Sequence, residues 1–250
     1  MKMIILAAGQ GTRLRPLTNE KPKCMVQYNN KAIIDYILET VAACGIQEVS
    51  IVNGYKGNVL KQHLKDYDIN FYTNKSFNRT NMVSSLFCAK EFMDDDIIIS
   101  YSDIIYTNEV LSTLIHADGD ISVIVDEGWR DLWTLRMEDP LQDAETLKLK
   151  GDRIVEIGKK ATNYDDIQGQ YIGLMKISKS YVNKLISFYA SLDKSQLYDD
   201  QSYENMYMTS LIQQIIDNLT DVKPIFINGG WIEIDSVEDI KNYTKNGIVF

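Results

Sequence analysis

The chain has 250 residues, of which 45% are hydrophobic and 24% are charged, a composition that excludes disordered and fibrous classes. Its net charge of −9 argues against a general binder of nucleic acid or of anionic membranes, and no apolar run approaches the roughly 20 residues of a membrane helix. The three cysteines form no CxxC pair, which favours a reducing cytoplasm and gives no sign of a zinc site. The first 31 residues hold six lysines and arginines against one glutamate, which indicates a local anion site.

The first half of the chain alternates short apolar runs with helical patterns. Strands are predicted at 2–7, 49–52, 69–72, 97–100 and 121–125, and helices at 33–41, 59–64 and 82–92. Gly45 marks the end of the first helix. Helices that alternate with apolar strands imply crossover connections, and so predict an α/β fold with a mostly parallel sheet and helices on both faces.

The pattern changes near residue 127. The aromatic and charged segment 129–140 lacks a clean period, and shorter strands follow at 146–149, 154–157 and 171–177, the first two joined by a Gly151-Asp152 turn. Helices near 179–189 and 204–216, strands at 222–227 and 231–234, and a last helix capped by Asp235 or Ser236 complete the chain. We expect one domain over 1–250, in which 127–177 forms a small β-rich lid.

A glycine loop follows the first strand, in the sequence LAAGQGTRLRPLT. Glycines let the backbone approach a phosphate and direct N–H groups at it. The loop lacks the Gly-Lys-Ser/Thr of a Walker motif, and Leu14 stands where a dinucleotide fingerprint needs its third glycine. A tight turn is the simpler interpretation of Gly-x-Gly alone, but the nearby Arg13, Arg15, Lys21 and Lys23 favour a polyphosphate site.

LAAGxGTRLRPLT followed by Lys21-Pro22-Lys23 resembles the signature of nucleotidyltransferases that act on sugar phosphates and phosphocholine. The resemblance implies a Rossmann-like nucleotidyltransferase sheet whose loop holds the nucleotide phosphates, with Arg13 and Lys23 as the main cations. It also implies that the nucleotide contacts the loop and the strand before it, at Leu6, Ala7, Ala8, Gly9, Gly11, Thr12 and Arg13.

Two aspartates are candidates for a metal site. Asp103 and Asp235 each follow an apolar strand, where open sheets place ligands, although a cap is the default interpretation of Asp235 alone. The family resemblance implies that both bind Mg²⁺, the cation that phosphoryl transfer requires. Many relatives carry another acid two residues before the first aspartate, where this chain has Tyr101, so the number of metal ions stays open.

Small polar residues after a strand and at a helix start are candidates for nucleoside contacts. The resemblance places the base and ribose near Gly54, Tyr55, Asn81, Ser84 and Ser85. From spacing alone, a helix cap is the favoured role of the polar residues at 80–85. Similarity is greatest to the cytidylyltransferases, which implies CTP as the donor, whereas the residues themselves do not separate CTP from UTP.

The acceptor is expected to be a small phosphorylated compound. Segment 126–140 mixes arginines, acids and aromatic residues, which favours a zwitterion over a quaternary ammonium, with an ordinary packed surface as the alternative. Resemblance to cytidylyltransferases of bacterial capsule phosphoramidate synthesis implies L-glutamine phosphate. Lys159 is expected at the acceptor phosphate, and further acceptor contacts are expected from Trp129, Arg136, Lys160, Tyr171 and Glu204.

The hypothesis is therefore a cytidylyltransferase in which an acceptor phosphate oxygen attacks the α-phosphorus of CTP, assisted by Arg13, Lys23 and Lys159. That oxygen is ionised at neutral pH, so no general base is required. The alternatives are a phosphocholine or sugar-1-phosphate transferase and, from another class, a non-catalytic nucleotide-binding regulator. The apolar end of the chain, 248–250, docks either on its own core or in a homo-oligomer.

Overall fold

A computed structural model describes all 250 residues. Its strands are β1 Lys2–Ala7, β2 Gln27–Tyr28, β3 Lys31–Ala32, β4 Glu48–Asn53, β5 Ile69–Thr73, β6 Ile97–Tyr101, β7 Ile104–Tyr106, β8 Ile121–Asp126, β9 Glu145–Lys150, β10 Arg153–Lys160, β11 Gln170–Ile177, β12 Lys223–Ile227 and β13 Trp231–Glu233. Its helices are α1 Ile33–Ala43, α2 Gly57–His63, α3 Met82–Cys88, α4 Asn108–Ile115, α5 Trp129–Arg136, α6 Lys179–Ser191, α7 Met208–Asn218 and α8 Val237–Lys245. None of these helices combines the length and the apolar character needed to cross a membrane.

Seven strands form the central sheet, in the order β12-β8-β11-β6-β1-β4-β5. All neighbouring strands run parallel except β11, which is antiparallel to both β6 and β8. The mostly parallel α/β sheet predicted from the sequence is therefore confirmed. Three short two-stranded sheets lie outside the central sheet. The most important of them pairs β13 with β7, because it brings the C-terminal part of the chain back to the end of β6.

Side chains of β1 alternate between two hydrophobic clusters, one on each face of the sheet. Met3 and Ile5 face the cluster formed with α1, α2, α4, α5 and α8, whereas Ile4 and Leu6 face the cluster formed with α3, α6 and α7. Both faces are buried, which is why the central strands read as continuous apolar runs. The expectation of helices on both faces is confirmed.

The segment expected to be a β-rich lid, 127–177, is largely part of the body of the protein. Its first part is helix α5, which places Trp129 and Trp133 in the core, and its last part is strand β11 inside the central sheet. Only the hairpin of β9 and β10 stands outside that sheet, turning at Gly151, whose φ is +65°. Arg136 lies on the buried face of α5, where the helix packs on its neighbour. Because an arginine is usually a surface residue, the sequence did not show this position as part of the buried helical face.

Two other helix boundaries were predicted wrongly. The helix expected at 82–92 ends at Cys88 and continues only as the 3-10 turn Lys90–Phe92. The helix expected from residue 204 begins at Met208, after the 3-10 turn Tyr203–Asn205. The last helix begins as predicted, with Ser236 as its N-cap. In a capping box, the Ser236 hydroxyl accepts a hydrogen bond from the N–H of Asp239, and the Asp239 carboxylate accepts one from the N–H of Ser236.

Candidate active site

The glycine loop and Asp103 leave the central sheet side by side. Strands β1 and β6 are parallel neighbours, with Leu6 opposite Tyr101 at their carboxyl ends. Gly9, the first glycine of the loop, comes two residues after β1, and Asp103 comes two residues after β6. The carboxyl edge of an open sheet is where such folds bind ligands, so topology alone brings these two segments together.

Gly11 allows the loop to fold closely over Lys23. Its φ of +59° lies in the left-handed region, and a Cβ at this position would lie 2.9 Å from the Cβ of Lys23. The hydroxyl of Thr18 donates a hydrogen bond of 2.8 Å to the carbonyl oxygen of Gly11 and closes the loop. Any larger residue at Gly11 would therefore displace Lys23 or open the loop.

Three carboxylates meet next to the loop. Oxygens of Asp103, Glu233 and Asp235 all lie within 4.8 Å of one another. Strand β13 delivers the last two, because it pairs with β7 and the N–H of Ile234 donates a 2.9 Å hydrogen bond to the carbonyl oxygen of Asp103. Glu233 was not among the predicted ligands, although its position two residues before Asp235 was a signal that could have found it.

Two cations compensate this acidic cluster. The Nζ of Lys23 lies 2.6 Å from Oδ2 of Asp103 and 2.5 Å from Oδ1 of Asp235, and the Arg13 guanidinium forms an ion pair with Asp235. Burial by itself lowers the pKa of Lys23, but the charges of the three acids outweigh it and raise that pKa above its ordinary value. Burial also acts to raise the pKa of Asp235, and Lys23 and Arg13 reverse the effect and hold it below its usual range.

The donor atoms of the acidic cluster fit a divalent cation. Carboxylate oxygens are the ligands that hard cations such as Mg²⁺ prefer. The Oδ1 atom of Asp103 is buried and has no hydrogen-bond partner, which leaves a lone pair free for a ligand. The buried Oδ1 therefore supports the expectation of a metal at Asp103 and Asp235, with Glu233 as a third carboxylate.

A small cavity of about 110 Å³ opens beside Asp103 and the loop. It is lined by residues from β1, the glycine loop, the 3-10 turn Lys23–Met25, the segment that leads into α3, α3 itself and the end of β6: Leu6, Ala7, Ala8, Gly9, Lys23, Cys24, Phe77, Thr80, Asn81, Met82, Ser85, Tyr101, Ser102 and Asp103. We call it the donor cavity, after the nucleotide donor that is expected from the sequence at the glycine loop.

A second cavity of about 250 Å³ adjoins the donor cavity, since Met82 and Tyr101 line both. Its other lining residues are mainly aromatic or acidic: Arg13, Trp133, Asp143, Glu145, Gln170, Tyr171, Ile172, Tyr207, Met208, Thr209, Trp231 and Glu233. We call it the acceptor cavity, after the phosphorylated acceptor that is expected from the sequence beside the nucleotide. Asp103 lines the first cavity and Glu233 the second, so the acidic cluster lies at their border.

Comparison with known proteins gives this arrangement a family. The family model described as Nucleotidyl transferase matches residues 2–128. The chain belongs to the nucleotidyl transferase family. CTP:phosphoglutamine cytidylyltransferase of Campylobacter jejuni is 47% identical over 96% of this chain and 98% of its own length. Choline-phosphate cytidylyltransferase of Streptococcus pneumoniae is 27% identical, covering 96% of each chain.

Solved structures agree on the fold of this nucleotidyltransferase. The CTP:phosphocholine cytidylyltransferase of S. pneumoniae matches with a TM-score of 0.73 at 24% identity, covering 99% of both chains. The inositol-1-phosphate CTP transferase of T. maritima matches with a TM-score of 0.74 at 20% identity, covering 100% of this chain and 98% of its own. The Rossmann-like sheet expected from the sequence is thus the sheet of known nucleotidyltransferases.

Six of the residues expected at the nucleotide line the donor cavity of this nucleotidyltransferase. They are Leu6, Ala7, Ala8, Gly9, Asn81 and Ser85. Asn81 is also the N-cap of α3, where its side-chain oxygen accepts a 2.8 Å hydrogen bond from the N–H of Met82. The cap favoured from spacing is therefore confirmed for this residue, and its contact with the nucleobase stays a prediction.

The other expected nucleotide contacts lie behind the donor cavity or away from it. The hydroxyl of Tyr55 donates to the carbonyl oxygens of Thr18 and Asn19, so this side chain fastens the glycine loop. Gly54 leaves room for Phe77, because a Cβ at position 54 would lie 2.7 Å from the Phe77 side chain. Two exposed or half-exposed residues, Thr12 and Ser84, do not line the cavity, and the hydroxyl of Ser84 donates to the carbonyl oxygen of Glu204.

Of the expected acceptor contacts, only Tyr171 lines the acceptor cavity. Trp129 is buried in the core, and Trp133, one helical turn later, takes the place at the cavity. Arg136 is buried behind the wall, where it forms ion pairs of 2.6 Å with Glu233 and 3.3 Å with Asp239. These two expectations were wrong because α5 packs into the core and turns both side chains inward.

The expected lysines and Glu204 lie outside both cavities as well. Lys159 is exposed and forms a 2.8 Å ion pair with Glu156, and Lys160 is exposed at the end of β10. The side chain of Glu204 is exposed, while its backbone carbonyl accepts hydrogen bonds from α3. Of the three acids that do line the acceptor cavity, Asp143 and Glu145 come from the start of the hairpin, and Glu233 belongs to the acidic cluster.

A buried acid holds one wall of the acceptor cavity in place. Asp126 accepts hydrogen bonds from the N–H groups of Gly128 and Gly229, both at 2.9 Å, and from Nε1 of Trp231 at 2.8 Å. It thereby joins the end of β8 to the turn before β13 and fixes the indole of Trp231 against the cavity. This role could not be predicted from the sequence, because two of the donors are backbone N–H groups and the third is a side chain far along the chain.

Proposed function

We propose that this nucleotidyltransferase is a Mg²⁺-dependent cytidylyltransferase that transfers CMP from CTP to L-glutamine phosphate and releases pyrophosphate. The observation that carries the proposal is the acidic cluster at the border of the donor and acceptor cavities, where an acceptor phosphate would meet a nucleotide. The choice of CTP and of phosphorylated glutamine is supported by the C. jejuni relative, which is similar over nearly the whole of both chains.

In this proposal Asp103 and Asp235 hold Mg²⁺, with Glu233 in reach as a third carboxylate. Bound there, Mg²⁺ would neutralise charge on the triphosphate as it shifts toward the leaving group. The N–H groups of the glycine loop face the β- and γ-phosphates, and the exposed Arg13 guanidinium binds their oxygens with its fork of donors. The same guanidinium then stabilises the charge of departing pyrophosphate.

Lys23 places the two reacting phosphates together. Its ammonium group lies among the three acids and beside the donor cavity, so it can turn from the carboxylates to phosphate oxygens. An oxygen of the acceptor phosphate forms a bond to the α-phosphorus, and the bond from that phosphorus to the β-phosphate oxygen breaks. Because Lys159 is paired with Glu156 outside both cavities, we assign the acceptor phosphate to Lys23 in its place.

A phosphocholine transferase is the second candidate within the family. It is favoured by the aromatic walls of the acceptor cavity, since Tyr101, Tyr171, Trp133 and Trp231 all line it. Aromatic faces attract quaternary ammonium groups. The S. pneumoniae relative also covers 96% of the chain, but its identity of 27% is much lower than the 47% of the C. jejuni protein.

We place this reaction in the cytoplasm and in bacterial capsule modification. All three cysteines are free, and CTP is a cytoplasmic metabolite. A net charge of −9 gives no reason to propose nucleic acid or an anionic membrane as a partner. Ile248 and Phe250 pack against the protein's own core, so only the exposed Val249 is left as an apolar contact for a homo-oligomer at this end of the chain.

Pyrophosphate release is the experiment that tests the proposed function. The protein would be incubated with Mg²⁺, with CTP, UTP, ATP or GTP, and with phosphoglutamine, phosphocholine or glucose 1-phosphate. The proposal predicts the highest kcat/KM for CTP with phosphoglutamine. A preference for another acceptor would refute the assigned substrate, and nucleotide binding without release from any pair would favour a non-catalytic regulator.

A further inference from the structure

Three acids line the acceptor cavity, and only one of them lacks a cationic partner. Glu233 forms a 2.6 Å ion pair with Arg136, and Asp143 lies 3.9 Å from the same guanidinium. Glu145 forms no ion pair anywhere in the protein, although it is half-buried at the cavity. When such an acid has no cationic partner in the protein, a cationic ligand bound beside it would stabilise its charged form.

The position of Glu145 is fixed by the neighbouring strand. Its N–H donates a 3.2 Å hydrogen bond to Oε1 of Gln170, and its carbonyl oxygen accepts one of 2.6 Å from Nε2. Gln170 is buried at the start of β11 and lines the same cavity. Burial, with a smaller contribution from Asp143, raises the pKa of Glu145 to about 7, and a hydrogen bond from Thr209 in the same cavity offsets only part of this increase.

The rest of the cavity also favours a cation. The rings of Tyr101 and Tyr171 meet edge to face, with centroids 5.8 Å apart, and the hydroxyl of Tyr171 is buried without a hydrogen-bond partner. Arg13 is the one cation among the lining residues, and it is already paired with Asp235. Aromatic rings next to an unpaired carboxylate suit an ammonium group.

We propose that Glu145 binds the ammonium group of the phosphorylated acceptor and thereby selects acceptors that carry a cationic nitrogen. This inference rests on the proposed function and deepens it, because it names the protein group that contacts the end of the acceptor opposite the phosphate. It also replaces the expected role of Glu204, whose side chain is exposed outside the cavity.

The test compares two acceptors that differ only in the amine. Phosphoglutamine carries the α-ammonium, whereas the phosphorylated monoamide of glutaric acid has the same chain without it. In Glu145→Gln the carboxylate becomes a neutral amide of equal size. We expect kcat/KM with phosphoglutamine to fall about 10- to 100-fold through KM, the range typical for a lost charged hydrogen bond.

With the deaminated acceptor, Glu145→Gln should be as active as the wild type or more active, and KM for CTP should not change. Glu145→Asp keeps the charge and should retain the preference for the amine. The matched control is Asp152→Asn, which removes one exposed acid from the turn of the same hairpin. It should leave kcat/KM unchanged with both acceptors. Equal losses with both acceptors, or no loss with phosphoglutamine, would overturn the role of Glu145.

The same measurements separate this inference from the proposed function. Wild-type turnover of phosphocholine or phosphoethanolamine, without turnover of phosphoglutamine, would refute the proposed acceptor. The inference would then stand if Glu145→Gln lost that turnover, because those acceptors also carry a cationic nitrogen. A wild-type protein that prefers glucose 1-phosphate, which has no cationic nitrogen, would overturn the inference itself.

Discussion

Replacing Lys23 by methionine should convert the acidic cluster from a compensated group into one that needs a metal for stability. The ammonium of Lys23 contacts Asp103 at 2.6 Å and Asp235 at 2.5 Å, and the lysine side chain is only 13% exposed. Methionine fills similar space without the charge. Removing one partner of a buried ion pair typically costs about 3 to 5 kcal/mol, because the remaining charges stay buried without compensation.

We expect the free energy of unfolding of Lys23→Met in a chelator to fall by about 3 kcal/mol, near the low end of that range, since Arg13 still pairs with Asp235. Adding Mn²⁺ or Mg²⁺ at about 100 times its Kd should restore about 2.7 kcal/mol. Urea denaturation with and without metal measures both values. Direct titration should also show tighter metal binding than in the wild type, because the ammonium no longer competes for the carboxylates.

Lys241→Met is the matched control, because Lys241 forms a 3.0 Å ion pair with Glu238 on the exposed face of α8. Such a surface pair contributes at most about 1 kcal/mol, and its loss should not respond to metal. The reasoning would be refuted if Lys23→Met were as stable as the wild type in chelator. Equal metal affinity in the two proteins would likewise contradict competition between Lys23 and the cation.

Three further substitutions test other parts of the site. Asp103→Asn should lower kcat for pyrophosphate release about 100-fold or more with nucleotide binding retained, so near-normal turnover in a steady-state assay would contradict the metal assignment. Arg13→Lys should lower kcat/KM about 100-fold, because one ammonium cannot replace the guanidinium fork on pyrophosphate; an unchanged value would remove Arg13 from the mechanism. Asp126→Asn should lower the free energy of unfolding by about 2 kcal/mol in urea and raise KM for the acceptor, since Trp231 would lose its anchor. A change in stability alone would limit Asp126 to a structural role.

The parts of the fold that could be predicted are those that local pattern determines. Strands β1 and β6 are buried on both faces, so each reads as a continuous apolar run that ends where ligands bind. Helix α5 could not be predicted in this way. The last position of its buried face is Arg136, which is buried only because Glu233 and Asp239 arrive from more than ninety residues later.

The same distinction applies to the candidate site. The loop with Lys23 and the aspartates Asp103 and Asp235 could be named, because a long motif and two strand ends mark them, and the structure brings them together. The acceptor side could not be named from position. Tertiary packing decides which face of the hairpin and of α5 meets the cavity, so Glu145 lines it while the lysines of β10 lie outside.

The most direct test of the central claim is a ³¹P NMR spectrum of the protein with Mg²⁺, CTP and phosphoglutamine. Transfer of CMP predicts loss of the three CTP signals, appearance of pyrophosphate, and a new pair of coupled diphosphate signals from the joined phosphates. The same spectrum recorded with Asp103→Asn should keep CTP intact. A wild-type spectrum in which CTP persists, or in which only CMP and pyrophosphate form without a new diphosphate, would contradict the account.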